Sequence, residues 1–445
     1  MTFEGIIKTV NDYLWGYILI FLLVGTGIYF SIKLRFPQIR QINRGMKQVF
    51  GGIFKKGEKA DKDGMTSFQA LATAIAAQVG TGNLAGVATA IASGGPGAIF
   101  WMWISAFFGM STIFAEAVLA QIYKEKIDGE ITGGPAYYIS KGAKSKGLAV
   151  FFSIAIIIAL GFVGNMVQSN SIAAAANRAF GINKIWIGIF TAIVAGMILI
   201  GGITRIASFT ELVVPFMAVL YIVGSLIIII INYRQIIPAF RSIFVGAFSP
   251  QAIAGGVLGV TIKEAIRYGV SRGLFSNEAG MGSTPHAHAV AKVNHPGEQG
   301  LVAMVGVFID TVVICTMTAL VIITTGVYTS GATGPELTQM AFTAGFGKYG
   351  NPFIAISLFF FAFSTIIGWY FFGEANIRFL FGKGGIKYYR IIVLLFVVFG
   401  SILEVELVWS IADMFNGLMI IPNLIALFIL SSKVSESLKD FESKI

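Results

Sequence analysis

Long apolar runs separated by short polar connections dominate the chain. Eleven such runs can be marked, at 14–32, 66–91, 97–122, 149–176, 185–203, 207–231, 251–282, 301–325, 352–378, 388–403 and 408–430. Most approach the roughly 20 apolar residues a helix needs to cross a bilayer. The short alternating pattern of a membrane barrel strand is absent. The pattern therefore predicts an all-α integral membrane protein with eleven transmembrane helices. Two of the runs are interrupted. Ala72 to Val87 contains Gln78-Val-Gly80-Thr81-Gly82-Asn83, and Ala265 to Gly282 contains Gly269, Ser271, Gly273, Ser276, Asn277 and Gly280. A helix broken inside a bilayer exposes backbone N–H and C=O groups that lipid cannot satisfy. Such a break persists only where it lines a cavity or binds a ligand. Isolated glycines such as Gly161 and Gly164 read instead as close helix contacts.

With the first helix set aside, ten spans remain, in two groups of five. Five is odd, so the second group enters from the opposite face, and each group opens with a broken helix. This parity predicts a 5+5 inverted-repeat core, although the halves show no clear residue-level similarity. The expected organisation is an N-terminal helix and basic loop (1–65), a first five-helix repeat (66–232), a second, inverted repeat (233–432) and a tail (433–445).

Composition agrees with a membrane protein. Of 445 residues 56% are hydrophobic and 12% charged, with a mean hydropathy of +0.80; soluble chains carry about 25% charged residues. The net charge of +10 lies in loops on alternate sides of the spans, not in the continuous patch that nucleic acid requires. Lys33, Arg35, Arg40, Arg44, Lys47, Lys55, Lys56, Lys59 and Lys62 follow the first span. They place that loop in the cytoplasm and the N-terminus outside, with Glu404 and Glu406 facing outward and the tail cytoplasmic. The expected location is the cell membrane, as a multi-pass protein. Arg178, Lys184, Arg234 and Arg241 are modest exceptions. Glu4 and Asp12 spoil a cleavable signal, so the first helix is expected to be retained. Cys315, the single cysteine, permits no intrachain disulfide.

An unwound segment presents N–H donors to a carboxylate and free carbonyls to an ammonium group or a hard cation. A small zwitterion such as an amino acid matches both. Gln78 stands at the first break with donor and acceptor capacity. Asn165, Gln168 and Asn170 are amides in apolar surroundings, for which interhelix hydrogen bonding is the simpler role. Ser364 and Thr365, one turn before Trp369, could join carbonyls from a break in an oxygen cage for a monovalent cation, with Trp369 as an apolar pocket wall. Glu374 and Arg378 are spaced to pair. Glu116, Glu211, Glu264 and Asp310 lack local partners, so each could relay protons or pair across helices. His286, His288 and His295 fall in a cytoplasmic connection, and no transition-metal site is expected. Gly80 to Gly86 imitates a dinucleotide fingerprint, but no strand precedes it. A potassium filter would need four converging loops. No nucleophile–base pair supports an enzyme.

Gly94-Gly-Pro-Gly, continuing through Trp101-Met-Trp103 to Gly109, resembles the signature of the alanine or glycine:cation symporter family. Ser276-Asn-Glu-Ala-Gly-Met-Gly-Ser-Thr-Pro-His-Ala-His288 resembles that family's second hallmark. The resemblance covers essentially the whole chain. It implies the fold named after the bacterial leucine transporter, sodium as coupling ion, no cofactor, and uptake of alanine or glycine. That fold carries Val-Gly-x-Gly-Asn in its first broken helix, matched by Val79 to Asn83. By this register the carbonyls of Ala76, Val79 and Phe361 resemble sodium ligands beside the hydroxyls of Ser364 and Thr365, here in the reverse of the fold's Thr-Ser order. The expected function is a sodium-coupled symporter of a small neutral amino acid working by alternating access. The amino acid would lie against Gln78, Gly80, Thr81, Gly82, Asn170, Gly273, Asn277 and Trp369. A proton-coupled carrier is one alternative; a passive pore or an amino-acid sensor is the other.

Overall fold

In a computed structural model, residues 3–53, 64–127, 129–249, 260–403 and 405–444 are described. Lys55, Lys56, Lys59, Lys62, Glu404 and the first residues of the expected seventh span, 251–259, lie outside them. The chain is a bundle of helices: α1 (Glu4–Lys33), α2 (Ser67–Gln78), α3 (Gly82–Gly94), α4 (Ala98–Ile122), α5 (Lys146–Phe180), α6 (Lys184–Leu199), α7 (Gly202–Ile231), α8 (Ile236–Phe248), α9 (Ile262–Asn277), α10 (Pro296–Thr324), α11 (Gly334–Phe346), α12 (Gly350–Phe381), α13 (Gly384–Gly400), α14 (Val405–Ile429) and α15 (Ser431–Ser443). Among the described residues, seven helical stretches are long and apolar enough to cross a membrane, or eight if α2 and α3, bent by 50° at their break, form one span. The eleven expected spans are not all reached by this measure. α6, for instance, has only 16 residues, short of the bilayer's thickness. The helices α8 and α11 escaped the sequence reading because each is a short apolar stretch outside the marked runs.

Both broken helices begin with the same local device. Thr66 accepts a hydrogen bond from the backbone N–H of Gln69, whose side chain returns one from the Thr66 N–H. Thr261 and Glu264 repeat this capping box at α9. Each box satisfies two amides that a helix start leaves unpaired. Just before α2, Met65 and Thr66 pair in parallel with Ala291 and Lys292. This two-residue ladder joins the entry of the first broken helix to the chain beyond the second.

The second break begins later than the glycine pattern predicts. Gly269 and Gly273 lie within the regular helix α9, where they serve packing. A Cβ at Gly269 would stand 2.2 Å from the Ala98 carbonyl oxygen, and one at Gly273 would stand 2.6 Å from Ser105 Oγ. Both contacts are with α4. The chain leaves helical geometry at Glu278, with φ +58°, and continues through Gly280 (+86°) and Gly282 (+81°) to a short turn at Pro285–Ala289. Small residues thus mark two separate things along this run: a helix contact, then an unwound chain.

Overpacking a tight contact costs about 1–3 kcal/mol, so Gly269→Ala should lower the melting temperature of the purified protein. An unchanged melting temperature would contradict the packing role.

Candidate substrate and cation site

α2 ends because Val79 turns extended, with φ −82° and ψ 90°. The Gly80 N–H, freed by that turn, donates to Asn83 Oδ1 at 2.9 Å. Gly80 has no room for a side chain, since a Cβ there would lie 2.4 Å from Thr365 Oγ1 on α12. At Gly82 it would lie 3.2 Å from Ser276 Cα on α9. The glycines thus bring the first break against α12 on one side and against the second break on the other. Gln78 fastens the two breaks. Its Nε2 donates to the Asn277 carbonyl at 2.6 Å, one of the acceptors exposed where α9 stops. Asn277 holds the turn beyond, accepting from the Ala279 N–H at 3.0 Å and donating to Thr311 Oγ1 at 3.1 Å.

Asp310 is the hub beside them. It lies in a π-helical turn of α10 over Phe308–Cys315. Its carboxylate accepts from Asn83 Nδ2 at 2.6 Å, Ser276 Oγ at 3.1 Å and Thr311 Oγ1 at 2.8 Å. One side chain therefore holds residues of both breaks. The sequence marks it only as a carboxylate without a local partner. Of the other three such carboxylates, two find partners across the fold and the third, Glu264, finds one locally. Glu116 accepts from the N–H groups of Gly280 and Gly282 and from Asn423 Nδ2. Glu211 accepts from Gln69, and Glu264 caps α9 by accepting from the Thr261 N–H three residues before it. Arg378 pairs with Glu374 at 3.5 Å and more closely with Glu130 at 2.6 Å.

Four oxygens of the expected cation site come together between α2 and α12. Thr365 Oγ1 lies 3.0 Å from the Ala76 oxygen and 3.0 Å from that of Phe361. Ser364 Oγ lies 3.3 Å and 2.9 Å from the same two carbonyls. Val79 gives its N–H to Ile75 at 2.7 Å, and its carbonyl makes no hydrogen bond to this group. Of the expected substrate residues, Gln78, Gly80, Thr81, Gly82 and Asn277 gather at the two breaks. Asn170 stands apart, donating to the Gly400 and Leu403 carbonyls at 3.0 and 2.8 Å, and Gly273 faces α4. Trp369 donates its indole N–H to Glu278 Oε1 at 2.7 Å, and its ring lies 2.7 Å from where a Cβ on Gly164 would stand.

Gln168 also reaches the site. Its Nε2 donates to Thr81 Oγ1 at 3.2 Å, while its Oε1, like Gln78 Oε1, is buried without a partner. Buried amide oxygens are nearly always paired, so two unpaired ones beside a broken helix mark acceptors available to a ligand. The signal in the sequence was an amide in an apolar span, which a structural hydrogen bond would equally explain. The histidines disperse: His286 bonds Ser283 and Asn376, His288 bonds Gln299, and His295 bonds Asp440. Among the described residues, no three His, Cys, Asp or Glu side chains gather as metal ligands.

Membrane-length helices packed around two facing breaks define a polytopic membrane transporter. The chain belongs to the Sodium:alanine symporter family, matched over residues 1–445. It is 44% identical over 450 residues to the sodium/alanine symporter AgcS of Methanococcus maripaludis, covering 99% of this chain and 98% of that protein. It is 44% identical over 440 residues to GlnT of Bacillus subtilis, named a probable sodium/glutamine symporter, covering 98% and 90%. Among solved structures, a manganese transporter of Eremococcus coleocola shares the fold, with TM-score 0.52 and 14% identity over 81% of this chain and 75% of that one. The family is one of cation-coupled amino-acid symporters, and its members are transporters and not enzymes.

A buried donor left without its acceptor costs about 1–3 kcal/mol. Asp310→Ala leaves three such donors and should destabilise the folded protein more than Glu264→Ala, which removes only a helix cap. Equal melting temperatures for the two variants would contradict the hub role of Asp310.

Proposed function

We propose that the protein is a secondary active symporter that couples inward sodium movement to uptake of a small neutral amino acid, alanine or glycine. Thr365 carries the reading. Its hydroxyl is within hydrogen-bonding distance of the Ala76 and Phe361 carbonyls, and it also abuts Gly80 in the break. A hard cation favours such oxygens, and its binding would fix the break against α12. The amino acid then binds a break already ordered, so the two ligands assist one another. Its carboxylate meets the N–H groups that open α3, and its ammonium group meets the unpaired oxygens of Gln78 and Gln168. Membership in the family and the 44% identity to a sodium/alanine symporter support both choices. The matching capping boxes at Thr66 and Thr261 support a 5+5 inverted core over 66–232 and 233–432. The cluster of basic residues after α1 supports an outside N-terminus.

A second reading, proton coupling, is favoured by Glu116, Glu278 and Asp310, three buried carboxylates around the second break with no ion pair among the described residues. Radiolabelled alanine uptake into proteoliposomes separates the two. Accumulation under an inward sodium gradient, absent with matched potassium, is the expected result. Accumulation driven only by protons would replace sodium in the reading. Equilibration without accumulation would defeat both.

Thr365→Val should raise the sodium concentration for half-maximal uptake about tenfold, equivalent to roughly 1.4 kcal/mol, whereas Thr365→Ser keeps the ligand and should change it little. Equal sodium dependence in the two variants would remove Thr365 from the cation site. Trp369→Ala should admit larger neutral amino acids, and unchanged selectivity in competition assays would remove Trp369 from the pocket.

A further inference from the structure

The helix α1 lies outside the ten-helix core and has no part in the transport reading, yet it is built into the mouth of the molecule. Asn11 Nδ2 donates to the Ser410 carbonyl at 2.7 Å, and Trp15 Nε1 donates to that of Asp413 at 2.9 Å, both on α14. Asp12 pairs with Arg267 of α9 at 3.7 Å. These bonds seat the start of α1 at the rim of a cavity of about 930 Å³. The wall carries Glu4 and Lys8 from α1, with Arg178, Arg272, Glu336 and Asp413 from the core, three acids and three bases. The side chains of Lys8 and Glu336 have neither an ion pair nor a hydrogen bond among the described residues. Arg272 Nε is buried without a partner. The floor includes Phe275 and Trp409, whose rings lie 5.9 Å apart. Beneath the floor, Phe275 Cδ1 is 3.5 Å from the Cβ position of Gly82. The cavity therefore ends one ring short of the first break.

A wall with balanced charge gives little net attraction to an anion or a cation. It offers separated partners to a molecule carrying both charges. We propose that α1 completes an antechamber for a zwitterionic amino acid, with Lys8 supplying a carboxylate partner and Glu336 an ammonium partner. The cavity is far larger than alanine, so the ligand is held loosely there, with water, before Phe275 admits it to the break. The identity of the ligand rests on the proposed transport function. The part played by α1 rests on the geometry above.

The test places a cysteine on the antechamber wall with Thr333→Cys; Cys315 is buried and gives little background. Labelling by a membrane-impermeant methanethiosulfonate is followed in sodium-free potassium buffer, with alanine as the probe. Alanine should slow labelling severalfold. Adding Lys8→Ala should remove this protection, and Lys8→Arg should keep it. Protection should survive Gly80→Val, whose side chain collides with Thr365 and closes the deeper break. The proposal is overturned if alanine gives no protection, if Lys8→Ala leaves protection intact, or if Gly80→Val abolishes it. Ser410→Cys, also on the wall, serves as a second reporter should Thr333→Cys fail to insert. Alanine uptake by the same preparations reads the transport function separately. Uptake without protection defeats the antechamber alone. Absence of sodium-driven uptake in the protein without further substitution defeats the transport reading, while labelling of Thr333→Cys still reports on the antechamber.

Discussion

A backbone amide or carbonyl cannot be left unpaired in hydrocarbon, and this constraint organises the centre of the molecule. Two helices stop there, and buried side chains take up the groups they expose. Asn83 receives the Gly80 N–H, Gln78 supplies the Asn277 carbonyl, and Glu116 receives the N–H groups of Gly280 and Gly282. The second break is thus completed by residues distant in sequence, whereas the first takes up its Gly80 N–H with its own Asn83. The second break therefore depends on contacts that only the assembled bundle provides.

The same economy explains why the site is crowded with small residues and amides. Glycine at positions 80 and 82 lets α12 and α9 approach the unwound chain within van der Waals distance. Asp310 then draws Asn83 and Ser276 together, so the two breaks share one anchor. Shifting either break disturbs the other through this carboxylate. Packed networks of this kind settle into discrete arrangements and deform little between them.

Much of the transporter architecture was legible in the sequence, because membrane-length apolar runs and glycine-polar interruptions are strong physical signals. The first break falls where Val79 to Asn83 places it, and Ser364 and Thr365 meet the Ala76 carbonyl as the resemblance to the leucine-transporter fold implied. The second break was placed too early, because Gly269 and Gly273 serve a helix contact and glycine composition alone does not separate contact from unwinding. Asp310 and Gln168 could not be resolved as site neighbours, since their partners lie on other helices. The capping boxes at Thr66 and Thr261 were present in the sequence but lay beside stronger hydrophobic signals. The count of eleven spans is met only in part among the described residues, where a run such as α6 is short for a bilayer.

The ladder between Met65-Thr66 and Ala291-Lys292 limits how this molecule can deform. Two strands sharing backbone hydrogen bonds cannot slide without breaking them together. The entrance of α2 and the exit of the second break are therefore hitched at one end. α2 runs from this hitch to the break at Val79 and Gly80. A swing of the chain about Gly80 would leave the ladder nearly still and move the distal arm, α3, through the larger arc. The short ladder would then act as the fixed point of any such swing.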